Sequence, residues 1–133
     1  LDRRSLNLLE KVKRLVEAVN ASVDAVLVEG ARDERAVKGL GLTRPVYRVA
    51  GKRVKASLVY EVSAKLKGCR VLVLTDFDEE GERLNQLLAV HLSKMGVAVE
   101  EGLRRRFNEL LVEAGLREVE ELAVLFKSSW PPP

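Results

Sequence analysis

The stretch Val71-Leu72-Val73-Leu74-Thr75-Asp76-Phe77-Asp78-Glu79-Glu80-Gly81-Glu82-Arg83-Leu84 runs four apolar residues straight into an Asp-x-Asp pair. A glycine and a helix-like segment follow at once. An unbroken apolar run of this kind suits a strand buried on both faces of a parallel sheet. Side chains alternate along a strand, so Asp76 and Asp78 can point the same way at its end. Two carboxylates at the carboxyl edge of such a sheet make a site for a hard divalent cation.

A second buried-strand pattern lies upstream. Ala25-Val26-Leu27-Val28 ends in Glu29-Gly30, and Asp33 follows on the first turn of an expected helix. Singly, Glu29 or an aspartate could be a cap for the turn that follows it. Three acids at the ends of two buried strands are better read as one acidic, metal-binding site. Asp33 reads equally as a water-mediated metal contact or as an acid favoured at a helix start. Glu82, one turn past Asp78, reads as a supporting group for the site or as a surface ion pair with Arg83 or another neighbour.

The spacing predicts alternating elements: helix over 2–20, strand 24–29, helix 33–40, strand 46–49, helix 54–67, strand 70–75, helix 79–95, strand 97–99, and helices near 101–114 and 118–127. Leu6, Leu9, Val12, Val16 and Val19 recur at helical spacing in the first. Leu84, Leu87, Leu88 and Leu92 form the expected buried face of the helix over 79–95. This order implies an α/β fold, with a mostly parallel four-stranded sheet and helices on both faces. One domain is expected: an N-terminal helix over 1–23, a core over 24–100, C-terminal helices over 101–127 and a loose tail over 128–133. The tail ends Trp130-Pro131-Pro132-Pro133, which cannot continue a helix.

Composition narrows the class. With 133 residues, 47% apolar and 32% charged, the chain has the composition of a soluble globular domain. No apolar stretch reaches membrane-span length, and the first residues lack a signal region, so a cytoplasmic protein is expected. Cys69 stands alone, which excludes an internal disulfide and a cysteine zinc site. Scarce Gln, Met and Cys lean toward a thermophile. The net charge of +3 is unevenly spread. Arg44, Arg48, Lys52, Arg53, Lys55, Lys65, Lys67 and Arg70 share a segment with one acid, Glu61, and the acidic cluster comes next. A basic flank beside an acidic pocket suits a polyanion held near metal ions, although a lysine-rich solvated helix face explains part of it.

The pair of boxes resembles the TOPRIM domain shared by topoisomerases, bacterial-type primases and several small nucleases. Glu29-Gly30-x-x-Asp33 is similar to the Glu-Gly-Lys-x-Asp box of the 5S ribosomal RNA maturation ribonucleases. Asp76-x-Asp78-x-x-Gly81-Glu82-Arg83-Leu84 is similar to their second box. The short stand-alone TOPRIM proteins of archaea and bacteria match best in size, and the resemblance spans roughly 24–100. It implies a Rossmann-like sheet and Mg²⁺, replaceable by Mn²⁺, held by Asp76 and Asp78. Glu29 would be the general acid/base, or a further ligand once metal is bound. The implied activity is that of a small nuclease acting on RNA in preference to DNA, with rRNA processing as one role. The partner is nucleic acid rather than a membrane, and a homodimer or a larger processing complex stays open.

Phosphate contacts are expected from Gly30, Gly81, Arg32, Lys52, Arg53 and Lys55, and from Arg104-Arg105-Arg106. Each cation could equally be an ordinary exposed charge. Ala31 stands where the ribonuclease box has lysine, and Arg32 would present its charge on another face. Tyr47 and Tyr60 lack the extra domain from which a topoisomerase supplies its nucleophile, and His91 sits among leucines. Two alternatives remain. One is a non-catalytic metal- and nucleic-acid-binding module. The other is a haloacid-dehalogenase-type phosphatase, whose Asp-x-Asp is normally followed by Gly-Thr rather than Glu79-Glu80.

Overall fold

A computed structural model describes residues 2–49 and 56–129. Ten elements alternate along them: α1 (Arg3–Ser22), β1 (Ala25–Val28), α2 (Ala31–Gly39), β2 (Val46–Arg48), α3 (Ala56–Lys65), β3 (Arg70–Val73), α4 (Glu79–Lys94), β4 (Ala98–Val99), α5 (Glu101–Ala114) and α6 (Val119–Ser129). The four strands form one sheet in the order β2-β1-β3-β4. Every pairing is parallel, with Val26 opposite both Val46 and Leu72, and Val71 opposite Val99. The expected Lys52, Arg53 and Lys55 contacts and the tail from Trp130 fall outside the described residues.

The two apolar strands at the centre explain the layering. Val26, Val28, Leu72 and Leu74 point into one core with α1, α2, α5 and α6. Ala25, Leu27, Val71 and Val73 point into the other, against α3 and α4. This is the period-two alternation of a strand buried on both faces. Phe107 of α5 and Leu9, Val12 and Val19 of α1 are fully buried. α1 therefore packs as an integral layer rather than as an appendage.

One expected core residue is not in the core. Leu87 is 59% exposed, while Leu88 and Leu92 are sealed. The stripe of α4 that meets the sheet runs through Leu84, Leu88 and Leu92, and Leu87 lies beside it, facing outward with Val90. No helix among the described residues is long and apolar enough to cross a membrane.

β1 connects outward to β2 on one side, and β3 outward to β4 on the other. The chain order therefore divides between β1 and β3, and the crevice beyond their carboxyl ends is where open α/β sheets bind ligands. Glu29 follows β1 directly, and Asp76 lies three residues past β3.

Candidate metal and phosphate site

The site is built from two strand ends. β3 stays extended past its ladder, and Leu74 N–H still donates to Leu27 C=O at 2.8 Å. Two residues on, Asp76 N–H donates to Glu29 Oε1 at 3.1 Å. This bond joins the two motifs across the switch point and sets Glu29 beside Asp76. Asp78 begins α4: its Oδ1 accepts from Gly81 N–H at 2.7 Å, an N-terminal cap. Asp33 holds the start of α2, accepting from Gly30 N–H at 3.1 Å. This is the reciprocal half of a capping box. Both aspartates thus have structural work through one oxygen and retain another.

Gly81 is buried, and its lack of a side chain lets α4 approach the preceding loop. A Cβ there would lie 1.9 Å from the Asp76 carbonyl oxygen. The buried Thr75 hydroxyl ties the same turn by donating to Gly81 C=O at 2.8 Å. The close approach expected at Gly81 is therefore to the protein's own backbone and not to a phosphate. Gly30 is extended, and a Cβ there would meet nothing within 4 Å. It leaves open space at the mouth of the crevice.

Arg104 requires a second correction. It is only 4% exposed. Its guanidinium donates to the carbonyls of Val73 (3.1 Å), Thr75 (3.0 Å) and Asp76 (3.1 Å), and to Glu82 Oε1 (2.7 Å). It also stacks 4.3 Å from the centre of the Phe77 ring. β4 covers only the first part of β3, so these carbonyls have no neighbouring strand, and Arg104 takes its place. A phosphate cannot reach it. Helical spacing could have revealed this, because Arg104 shares a face with Phe107 and Leu111. Glu82 accordingly pairs with Arg104, while Arg83 lies near Glu79 at 3.6 Å.

Of the other expected cations among the described residues, none pairs with Glu29, Asp76 or Asp78. Arg32 pairs with Glu120 of α6 at 2.9 Å, and Arg106 lines a cleft with Lys11 and Arg14. Arg105 is exposed. Three residues that sequence reasoning missed do border the site: Asn108, Arg117 and Glu118 line a cavity with Asp76 and Asp78.

The electrostatics are those of crowded carboxylates. Burial, then the charges of Glu29, Asp33, Asp78 and Glu118, push Asp76 up from 3.8 to about 6. Glu29 is also raised, chiefly by burial. The bond from Asp76 N–H opposes this, and Asp33, Asp78 and Glu80 add to it. Between pH 3.8 and about 6 native Asp76 holds a proton that the unfolded chain has lost. Stability from this group is therefore greatest below that window and falls as pH rises through it. Asp76→Asn should stabilise the metal-free protein at pH 7 by about 1–2 kcal/mol, allowing for solvent at a partly buried carboxylate. The gain should vanish near pH 4, where wild-type Asp76 is protonated. Urea unfolding in EDTA at both pH values tests this, and an equal effect at both would contradict it.

A matching family model, "Toprim domain", covers residues 24–110. The chain belongs to the Toprim family. Its relatives include a UPF0292 protein of Pyrococcus horikoshii, 28% identical over 93% of this chain and 96% of that protein. Another, from Thermococcus kodakarensis, is 31% identical over 88% of this chain and 86% of that one. A solved structure, a putative protein from Aquifex aeolicus, superposes with a TM-score of 0.62 at 32% identity. The match covers 84% of this chain and 94% of that one. Toprim membership supports a metal-dependent role in nucleic-acid chemistry.

The Toprim acids fit a hard divalent cation by their donor chemistry. None of Glu29, Asp76 and Asp78 forms an ion pair among the described residues. Asp76 has oxygens free of hydrogen bonds, and burial together with mutual repulsion raises its proton affinity. A cation would relieve that repulsion. Among the described residues no three acidic, histidine or cysteine side chains converge as a preformed cage. Mg²⁺ needs only one or two carboxylates and keeps several waters.

Proposed function

We propose that this Toprim protein cleaves phosphodiester bonds in nucleic acid with the help of Mg²⁺, with RNA as the preferred substrate and rRNA processing as one role. The observation carrying this reading is the Glu29–Asp76 hydrogen bond, which gathers two partly buried, uncompensated carboxylates at the switch point with Asp78 close behind. Asp76 and Asp78 would hold Mg²⁺ or Mn²⁺. Bound there, the ion supplies charge neutralisation at the phosphate and at the departing oxygen. Glu29 would hold and pass the proton; burial, which keeps its carboxyl above the ordinary range, and the Asp76 N–H, which fixes one of its oxygens, support this role. The open space over Gly30 and the free N–H groups at the start of α2 suit an approaching anion. Arg32, Lys52, Arg53, Lys55, Arg105 and Arg106 are proposed contacts for a longer backbone, which makes binding salt-sensitive.

Cleavage of labelled structured RNA, single-stranded RNA and duplex DNA, in Mg²⁺, Mn²⁺ or EDTA, tests the proposal. Wild type should cut RNA only with metal. Glu29→Gln should lower the rate by a factor of about 10²–10⁴. The Asp76→Asn/Asp78→Asn double variant should lose both cutting and the Mg²⁺-dependent rise in melting temperature. Metal binding without turnover on any substrate would favour a binding module instead.

A further inference from the structure

A cavity of about 470 Å³ opens beside Asp76 and Asp78, between the end of β3 and the turn joining α5 to α6. Its lining is sorted by chemistry. Phe77, Leu111 and Leu116 form an apolar floor, and the Phe77 ring is held from behind by Arg104 at 4.3 Å. Arg117 is the one cation among the described lining residues, and Asn108 and Glu118 supply the remaining polar groups.

These polar groups are not committed elsewhere. The side chains of Arg117, Asn108 and Glu118 make no hydrogen bond or ion pair among the described residues; only the backbone N–H groups of Arg117 and Glu118 are bound, to Glu121 Oε1. Arg32, Arg48, Arg70, Arg83 and Arg104 have carboxylate partners, whereas the exposed Arg117, like Arg105 and Arg106, has none among the described residues; what sets Arg117 apart is its place on the cavity beside Asp76 and Asp78. A free guanidinium, an amide and an acid around an apolar floor match the parts of one nucleotide. Arginine suits a phosphate oxygen pair, the floor suits a base or ribose, and the amide and carboxylate suit base edges or ribose hydroxyls.

We propose that this cavity is a mononucleotide subsite, in which Arg117 grips the phosphate of the nucleotide adjoining the acidic centre and Asn108 and Glu118 contact its sugar or base. The inference rests on the nucleic-acid reading of the acids and adds to it the place where the neighbouring nucleotide sits. It also assigns α5 and the turn joining it to α6, which follow the sheet in sequence, a direct share in substrate binding.

Isothermal titration of nucleoside 5′-monophosphates and of the matching nucleosides, with Mg²⁺ present, tests the subsite. Wild type should bind the monophosphates more tightly than the nucleosides. Arg117→Met should weaken monophosphate binding about tenfold or more and erase that preference. Asn108→Ala should weaken monophosphate and nucleoside alike. Lys94→Met, which removes the same charge from the far end of α4, should change neither. No wild-type binding, or Arg117→Met binding equal to wild type, overturns the subsite, even if RNA is cleaved. Arg117-dependent binding without cleavage of any nucleic acid keeps the subsite and refutes the nuclease reading.

Discussion

Gly81→Ala should destabilise the protein by about 3 kcal/mol. The added Cβ would lie 1.9 Å from the Asp76 carbonyl oxygen, 2.5 Å from its carbon and 2.9 Å from its Cα. All three are backbone atoms, so no rotamer change relieves the clash. Either α4 or the Asp76 loop must move, and moving either one separates the Asp78 cap and the Thr75–Gly81 bond that define the turn. Gly39→Ala is the control. Nothing lies within 4 Å of a Cβ at Gly39, at the end of α2. That change should be neutral or stabilising by up to about 1 kcal/mol, through reduced freedom of the unfolded chain. Urea midpoints of both variants check the contrast. A Gly81→Ala protein as stable as wild type would mean that the helix does not sit against Asp76.

The second large effect is at Arg104. Arg104→Met keeps most of the stem but leaves the carbonyls of Val73, Thr75 and Asp76 without this donor, and Glu82 without its cation. The expected loss is about 3–5 kcal/mol, the scale for breaking a buried charge network on one side. Lysine should not rescue it, because one ammonium cannot span the carbonyls that a planar fork reaches. Arg105→Met and Arg106→Met, on exposed neighbours, should stay within about 0.5 kcal/mol of wild type. Equal midpoints for all three arginine variants would refute the idea that Arg104 stands in for a missing strand.

The contrast among these arginines marks how far the sequence could be read. The unbroken apolar runs 25–28 and 71–74 showed two central strands, because a strand sealed on both faces has no polar position to spare. Glu29, Asp76 and Asp78 were visible as strand-end acids for the same reason. Arg104 was hidden within three consecutive arginines. Its inward turn depends on β4 having only two paired residues, which leaves carbonyls of β3 open. Local pattern carries no record of a neighbour's shortness. Gly81 was recognised as necessary but assigned the wrong neighbour, since a close approach is visible in sequence only as a missing side chain. Arg117 and Asn108 reach the acids only because α5 and α6 fold back over the sheet end, a tertiary fact without local periodicity. Leu87 shows the opposite limit. A leucine at helical spacing reads as core whether or not another element covers it.

Glu29 and Asp76 are joined across 47 positions of sequence. A chain in which only β1, α2 and β2 have formed contains Glu29 without its neighbour, and one that has closed only β3, α4 and β4 contains the aspartates alone. Closing so long a segment costs chain entropy before the contact returns anything, which places this event late in folding. The helices can form earlier from local contacts, so helix content can approach its final level while the carboxyls still titrate as in a peptide. The proton affinity of Asp76 thus carries a mark of that step: beyond the part due to burial, the share that Glu29 adds appears only when the two halves of the sheet have met.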